Sequence, residues 1–277
     1  MSEWQRLRDG ALRLAVLSSV LVLAATFGWM ATELVVLAWP RLGWELLTEL
    51  PRRSGREGGL TSILVATGGI VAVCLAVVVP LALGTAVLLA SARGRWATAL
   101  RISLDVLAGM PSIVLGLFGL LFFGDLLGLG TSLWTGGLSL ACMVLPVVTR
   151  VAESALASVP ASIRAAAAAL ALSRTTRLFR LELRVALPGL IAALGLGLGR
   201  ALAETAVLLF TSGSSDRMPE SLSDPGRALA VHIFEMAMQV AGGDASAAAT
   251  AVLLLALLAA VQIPALSLTD RMARRHA

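Results

Sequence analysis

From Leu60 to Ala92 the chain carries no charged side chain. A helix needs about 20 apolar residues to cross about 30 Å of hydrocarbon, so a run of this length reads as one long membrane span. Five further stretches have a similar character: about Ala11–Ala31, Ser103–Leu121, Leu133–Val151, Pro188–Phe210 and Ala247–Leu268. Backbone polar groups in lipid must be satisfied within the segment, which makes these spans helices. The expectation is an all-α, polytopic membrane protein with six transmembrane helices in a single domain over residues 1–277. Composition agrees: 58% of residues are hydrophobic and 14% charged, against about 25% charged in soluble domains. Gly68, Gly69 and Pro80 are candidate bend points in the longest run.

Arginine placement orients the spans. With an even number of crossings both termini lie on one side. That side then holds Arg6, Arg8, Arg13, Arg93, Arg95, Arg101, Arg150, Arg164, Arg174, Arg177, Arg180, Arg184, Arg271, Arg274 and Arg275. The other side holds Arg41, Arg52, Arg53, Arg56, Arg217 and Arg227. The excess marks the first side as cytoplasmic, in a bacterial inner membrane. The apolar stretch Leu14–Thr32 is longer than the 7–15 residues or so of a cleaved leader core, and is expected to be a retained helix.

Several chemistries drop out. The chain has no lysine, so no G-x-x-x-x-G-K phosphate loop is possible, and ATP with its magnesium is expected on a partner polypeptide. No cofactor is expected on this chain. Cys74 and Cys142 sit in apolar runs as small core residues. His232 and Glu235 are too isolated to make a metal site, and the arginines come in short blocks that do not suggest nucleic-acid binding.

The fifth span contains Arg200 and Glu204. Arg200 falls about 18 Å along the helix from Pro188, near the bilayer middle. Intramembrane charges cost about 2.5–3.5 kcal/mol each on insertion scales and usually face a bundle interior or a water-filled path. A guanidinium offers a planar fork of donors to a tetrahedral oxyanion, and Glu204 one turn on neutralises or screens it. The alternative is an Arg–Glu pair that locks helices together. Gly195 and Gly199 form a G-x-x-x-G face for close helix contact. In the third span Pro111 bends the helix, Gly109 permits close approach, and Ser112 offers a hydroxyl. Asp105, four residues after Arg101, reads as its local ion-pair partner.

Between the fourth and fifth spans, residues 154–187 are too polar to cross and too regular for a plain loop. Arg174, Arg177, Arg180 and Arg184 recur at three- and four-residue steps and share a helix face. Two readings stand: a helix resting on anionic lipid headgroups, or a docking helix for a soluble partner.

The runs Asp105–Gly119 and Gly199–Gly213, with the Ala186–Gly189 approach, resemble the PstA-type permease subunit of bacterial phosphate ABC importers, within the binding-protein-dependent permease family. The resemblance covers about residues 60–268 and leaves the first helix (1–40) and outer loop (41–59) as variable parts. It implies a MetI-like permease fold and a non-enzymatic role as half of a phosphate pathway. The implied partners are a second homologous permease, a soluble ATPase dimer and an extracytoplasmic phosphate-binding protein. It places Arg200 and Glu204, with Thr205 and Ser112 beside them, along the substrate path. It assigns ATPase coupling to the segment holding Arg164, Ala165, Ala166, Ala167, Ala171, Arg174 and Arg177. The family's glutamate and glycine in that segment are here Ala165 and Ala171, and a usual proline is Arg184. Loss of the glutamate removes a capping box with Ser162, and Ala171 favours one stiffer helix. Other readings are a permease for sulfate or molybdate, a membrane-embedded enzyme, or a channel or secondary transporter acting alone.

Overall fold

The computed structural model describes the backbone of residues 3–92 and 94–276, and the side chains of residues 12–92 and 94–269. Arg6, Arg8, Arg93, Arg271, Arg274 and Arg275 therefore have side chains outside the described residues.

Five helices are long and apolar enough to span a membrane, six if the bent pair is counted as one crossing. The spans are α1 (Glu3–Ala38), α2 (Thr61–Ser91), the pair α3 (Arg95–Ala108) and α4 (Ser112–Leu126), α5 (Leu133–Ala157), α7 (Arg174–Leu202) and α10 (Asp244–His276). Shorter helices include α6 (Ala161–Ala169), α8 (Ala206–Thr211) and α9 (Leu229–Met238). Charge-free α2 runs unbroken through Pro80, as expected for one long helix.

The core lies where α2, α5 and α7 meet. Ile70, Cys74, Val78, Ala82 and Ala86 recur every fourth residue on α2, so they form one stripe. They face a matching stripe on α5: Leu140, Val144, Val148 and Ala152. Lipid is as apolar as these side chains, so close packing rather than water exclusion holds the helices together, and small residues decide it. A Cβ on Gly137 would lie 2.5 Å from Val73 Cβ, and one on Gly197 would lie 2.4 Å from Val148 Cγ2. Gly197→Ala is therefore expected to cost about 1–3 kcal/mol by overpacking. Adding Val148→Ala should restore most of that loss, read as thermal unfolding of the detergent-solubilised chain.

α1 stands outside this core. Its described side chains before Leu34 are exposed, and only its far end, at Leu34 and Ala38, packs against Ala249 and Leu254 of α10.

The two ends of the bundle differ. At one end α3, α5, α6 and α7 carry arginines. At the other, the loop after α1 forms a short hairpin, β1 (Pro51–Arg52) with β2 (Glu57–Gly58), in the register Pro51↔Gly58 and Arg52↔Glu57. The all-α expectation is amended by this hairpin alone among the described residues. Ser246 Oγ of α10 donates to Gly55 O at 2.7 Å, and Ser62 Oγ of α2 donates to Asp216 O at 2.6 Å, tying the end loops to the spans.

Candidate functional site

Two of the crossings are interrupted inside the bundle. The third does not run straight from Ser103 to Leu121. It breaks at Gly109–Pro111, and α3 meets α4 at 98°. Pro111 takes the extended ψ that helices reject (136°), and no side chain caps the start of α4. The fifth crossing does not start at Pro188 or run unbroken to Phe210. It begins as far back as Arg174, passes through Pro188, and stops at Leu202. Ala203, Glu204 and Thr205 form the break before α8.

The two half-helices α4 and α8 cross where side chains are smallest. A Cβ on Gly116 would sit 3.0 Å from Val207 Cα, and one on Gly119 would sit 2.0 Å from Ser139 Oγ of α5.

The predicted pathway residues gather on α7 and its break, with one on α4. Three faces of α7 are distinct. Ala193, Gly197 and Ala201 are buried, with Gly197 against Val144 and Val148 of α5. Gly195 and Gly199, the predicted close-contact face, meet α10: Gln262 Nε2 donates to Gly195 O at 3.1 Å, and a Cβ on Gly195 would lie 3.1 Å from Ala265 Cβ. The third face, Leu196, Arg200 and Ala203, is exposed. Arg200 makes no ion pair or side-chain hydrogen bond among the described residues, so it is not locked to Glu204. Because the helix ends at Leu202, Glu204 leaves the shared face and its Oε1 accepts from Val207 N at 3.4 Å, at the start of α8. A carboxylate there is favoured by the free amides and the helix dipole. Thr205 is half-buried at the same break, and Ser112 is half-buried at the first position of α4.

Asp105 does not pair with Arg101. It holds Arg150 of α5: Arg150 Nη2 donates to both carboxylate oxygens, at 2.6 and 2.5 Å. Arg101 Nε instead donates to Glu153 Oε1 at 2.7 Å, and its Nη2 donates to Leu89 O at 2.8 Å. Sequence proximity favours the i,i+4 pair, but α3 lies across the end of α5, and the better-aligned partners are there. The network clamps the bend at the arginine-rich end.

The predicted coupling residues divide. Ala165 and Ala166 on α6 are exposed, while Ala167 is buried. Pro160 precedes the first turn of α6, so Ser162 lies inside the helix and the capping-box reading does not apply. Ala171 does not stiffen the segment into one helix. α6 stops at Ala169, Leu172 N donates to Ala167 O at 3.1 Å, and Ala171 N donates to Ala168 O at 3.0 Å. This is a Schellman stop, whose C′ residue is ordinarily glycine because it must be left-handed. Ala171 takes that conformation at φ +50°, at a cost of about 1–2 kcal/mol. Ala171→Gly is thus expected to stabilise the chain by about 1 kcal/mol, with slower proteolysis between α6 and α7 as the local readout. The arginines after the stop do not form a separate docking helix. Arg174, Arg177, Arg180 and Arg184 lie on the inner extension of α7, where a π-type stretch, Leu178–Glu182, rotates the face. Arg177 turns onto buried Glu182, with Arg164 beside it, while Arg180 and Arg184 remain exposed.

A buried polar cluster at the opposite end was not anticipated. Arg227 and Glu235 form an ion pair at 2.9 Å with both side chains under a tenth exposed. Arg227 also donates to Ser214 O from two nitrogens and lies 3.3 Å from His232 Nδ1. His232, fully buried under the Gly55 turn, has its pKa lowered to about 3 by burial, by Arg227 and by Arg41. It stays neutral at physiological pH. The sequence signal was a histidine and a glutamate inside an apolar stretch, a pattern that demands a buried partner.

Comparison with known proteins follows the same lines. A model of the family described as "Binding-protein-dependent transport system inner membrane component" matches residues 79–274. The probable ABC transporter permease protein YqgI of Bacillus subtilis is 30% identical over 82% of this chain and 83% of its own length. The phosphate transport system permease protein PstA 2 of Mycobacterium tuberculosis is 36% identical over 69% of this chain, which spans under two thirds (63%) of that relative. PstA of Haemophilus influenzae is 29% identical over 76% of this chain and 74% of that protein. Among solved structures, an inward-facing MetNI methionine ABC transporter chain aligns with a TM-score of 0.61 at 18% identity, over 77% of this chain and 94% of that one, which supports the MetI-like fold. The interrupted crossings thus sit in a bundle whose sequence matches one transport family, and the chain belongs to the binding-protein-dependent transport system inner membrane components, as a permease subunit of an ABC importer.

Proposed function

We propose that the cargo is inorganic phosphate and that it passes Arg200. The observation that carries this reading is the Arg200 guanidinium, exposed and without an ion pair among the described residues, in the last turn of the apolar helix α7 on a face that the described helices leave open. A permanently charged, exposed side chain there is stable against water or an anion, not against lipid. The uncovered face therefore lines an aqueous path that a second permease subunit closes. Glu204, Thr205 and Ser112 lie at the two helix interruptions beside the path, and Gly109, Pro111, Gly195 and Gly199 let the helices shift there. The arginine-rich end faces the cytoplasm with both termini. There the exposed alanine face of α6 meets a soluble ATPase dimer that supplies the ATP chemistry, and an extracytoplasmic binding protein delivers phosphate to the opposite end. Relatives named as phosphate permeases support the choice of anion.

The test is reconstitution of the chain with its sister permease, ATPase and binding protein in proteoliposomes. ATP-dependent uptake of radiolabelled phosphate, uncompeted by sulfate or molybdate, is expected. Uptake of sulfate in preference to phosphate would make it a permease for that oxyanion instead.

A further inference from the structure

The arginine-rich end holds a cavity of about 510 Å³ between the end of α2 and the start of α7. Its polar lining comes from Arg164, Arg174, Arg177, Glu182, Ser91 and Thr175. Three guanidinium groups face one carboxylate, so the lining keeps two uncompensated positive charges. Glu182 is 7% exposed, and its Oε1 lies 3.1 Å from Arg177 Nε and 3.4 Å from Arg164 Nε. Neither Nε has a hydrogen-bond partner, although both are buried. Glu182 holds both in ion pairs too poorly aligned for a hydrogen bond, which leaves donor capacity for a better-placed acceptor. Arg164 Nη2 is held in place by Leu156 O at 2.9 Å. Arg174 has no ion pair among the described residues.

We propose that this cavity binds a phosphate group. Arginine forks with flanking hydroxyls match the several oxygens of a tetrahedral oxyanion, whereas a single carboxylate such as Glu182 leaves donors over. The volume falls in the range of small-molecule sites, about 300–1,000 Å³, so a phosphate on an organic moiety fits as well as a hydrated ion. Two sources share this chemistry: the headgroup of an anionic phospholipid at the membrane edge, where α2 ends, and free phosphate in solution. The site is separate from Arg200 and does not depend on what the pathway carries.

The test uses the full chain in detergent, with phosphatidylglycerol, phosphatidylcholine and inorganic phosphate as separate probes. Thermal unfolding is read against matched ionic strength, with native mass spectrometry for retained lipid. A rise in Tm with phosphatidylglycerol but not phosphatidylcholine identifies a lipid headgroup; a rise with inorganic phosphate identifies the free ion. In either case Arg164→Gln with Arg174→Gln should weaken binding by at least about tenfold, the scale of one lost charge-assisted hydrogen bond. Arg180→Gln with Arg184→Gln removes the same charge from exposed positions outside the cavity and should leave binding unchanged. Glu182→Gln should tighten binding by about two- to fivefold, the range of a partly exposed charge pair, and this gain cannot arise from misfolding. Equal loss in both arginine pairs, no tightening with Glu182→Gln, or no response to any probe would overturn the proposal and leave the cavity as part of a protein docking surface.

Discussion

Arg200→Gln is expected to lower phosphate uptake by the reconstituted complex about 10- to 100-fold while the complex still assembles. The magnitude follows from the loss of one or two charge-assisted hydrogen bonds to a passing anion, about 1.5–3 kcal/mol. Assembly should survive because Arg200 contributes no ion pair or side-chain hydrogen bond among the described residues. The surrounding packing rests instead on Gly195, Gly197 and Gly199 against α5 and α10. Arg200→Lys should retain part of the activity, since the charge persists without the planar fork. Failure of the Gln variant to assemble would show that Arg200 supports the subunit interface rather than the anion.

The largest stability effect is expected at the other end of the molecule. Arg227→Ala leaves Glu235 buried without its partner, next to a neutral His232, and should cost about 3–5 kcal/mol. Replacing both, Arg227→Met with Glu235→Leu, removes the desolvation penalty along with the attraction and should recover most of the loss. Thermal unfolding of the purified chain reads both. A loss below about 1 kcal/mol for Arg227→Ala would mean that the pair is hydrated and contributes as a surface pair does.

The spans were legible because charge is costly in lipid: where Leu60–Ala92 excludes it, a helix follows, Thr61–Ser91. The interruptions were legible only in part. Pro111 announced a bend, but a proline does not state an angle, and 98° comes from α3 lying across the end of α5 through Asp105–Arg150 and Arg101–Glu153. The break after Leu202 carried no such mark, since Arg-Ala-Leu-Ala-Glu is strongly helical by propensity. Tertiary contact of α8 with Gly116 of α4 overrides it. Ala171 misled for a related reason. Its side chain favours helix, yet the Schellman stop is fixed by the backbone bonds of Ala171 and Leu172, and the alanine is held there at a positive φ. Arg200 and Glu204 were conspicuous as charges in an apolar run. That they point apart was not readable, because it depends on where the helix ends.

The pathway claim turns on whether position 200 meets water. Arg200→Cys in the assembled complex, with Cys74 and Cys142 replaced by alanine, can be probed with a charged, membrane-impermeant thiol reagent. Leu266→Cys on the exposed apolar surface of α10 serves as the comparison. Rapid labelling at position 200, slowed by phosphate, with no labelling at position 266, is the predicted result. Labelling at position 200 by a lipid-soluble reagent alone would contradict it.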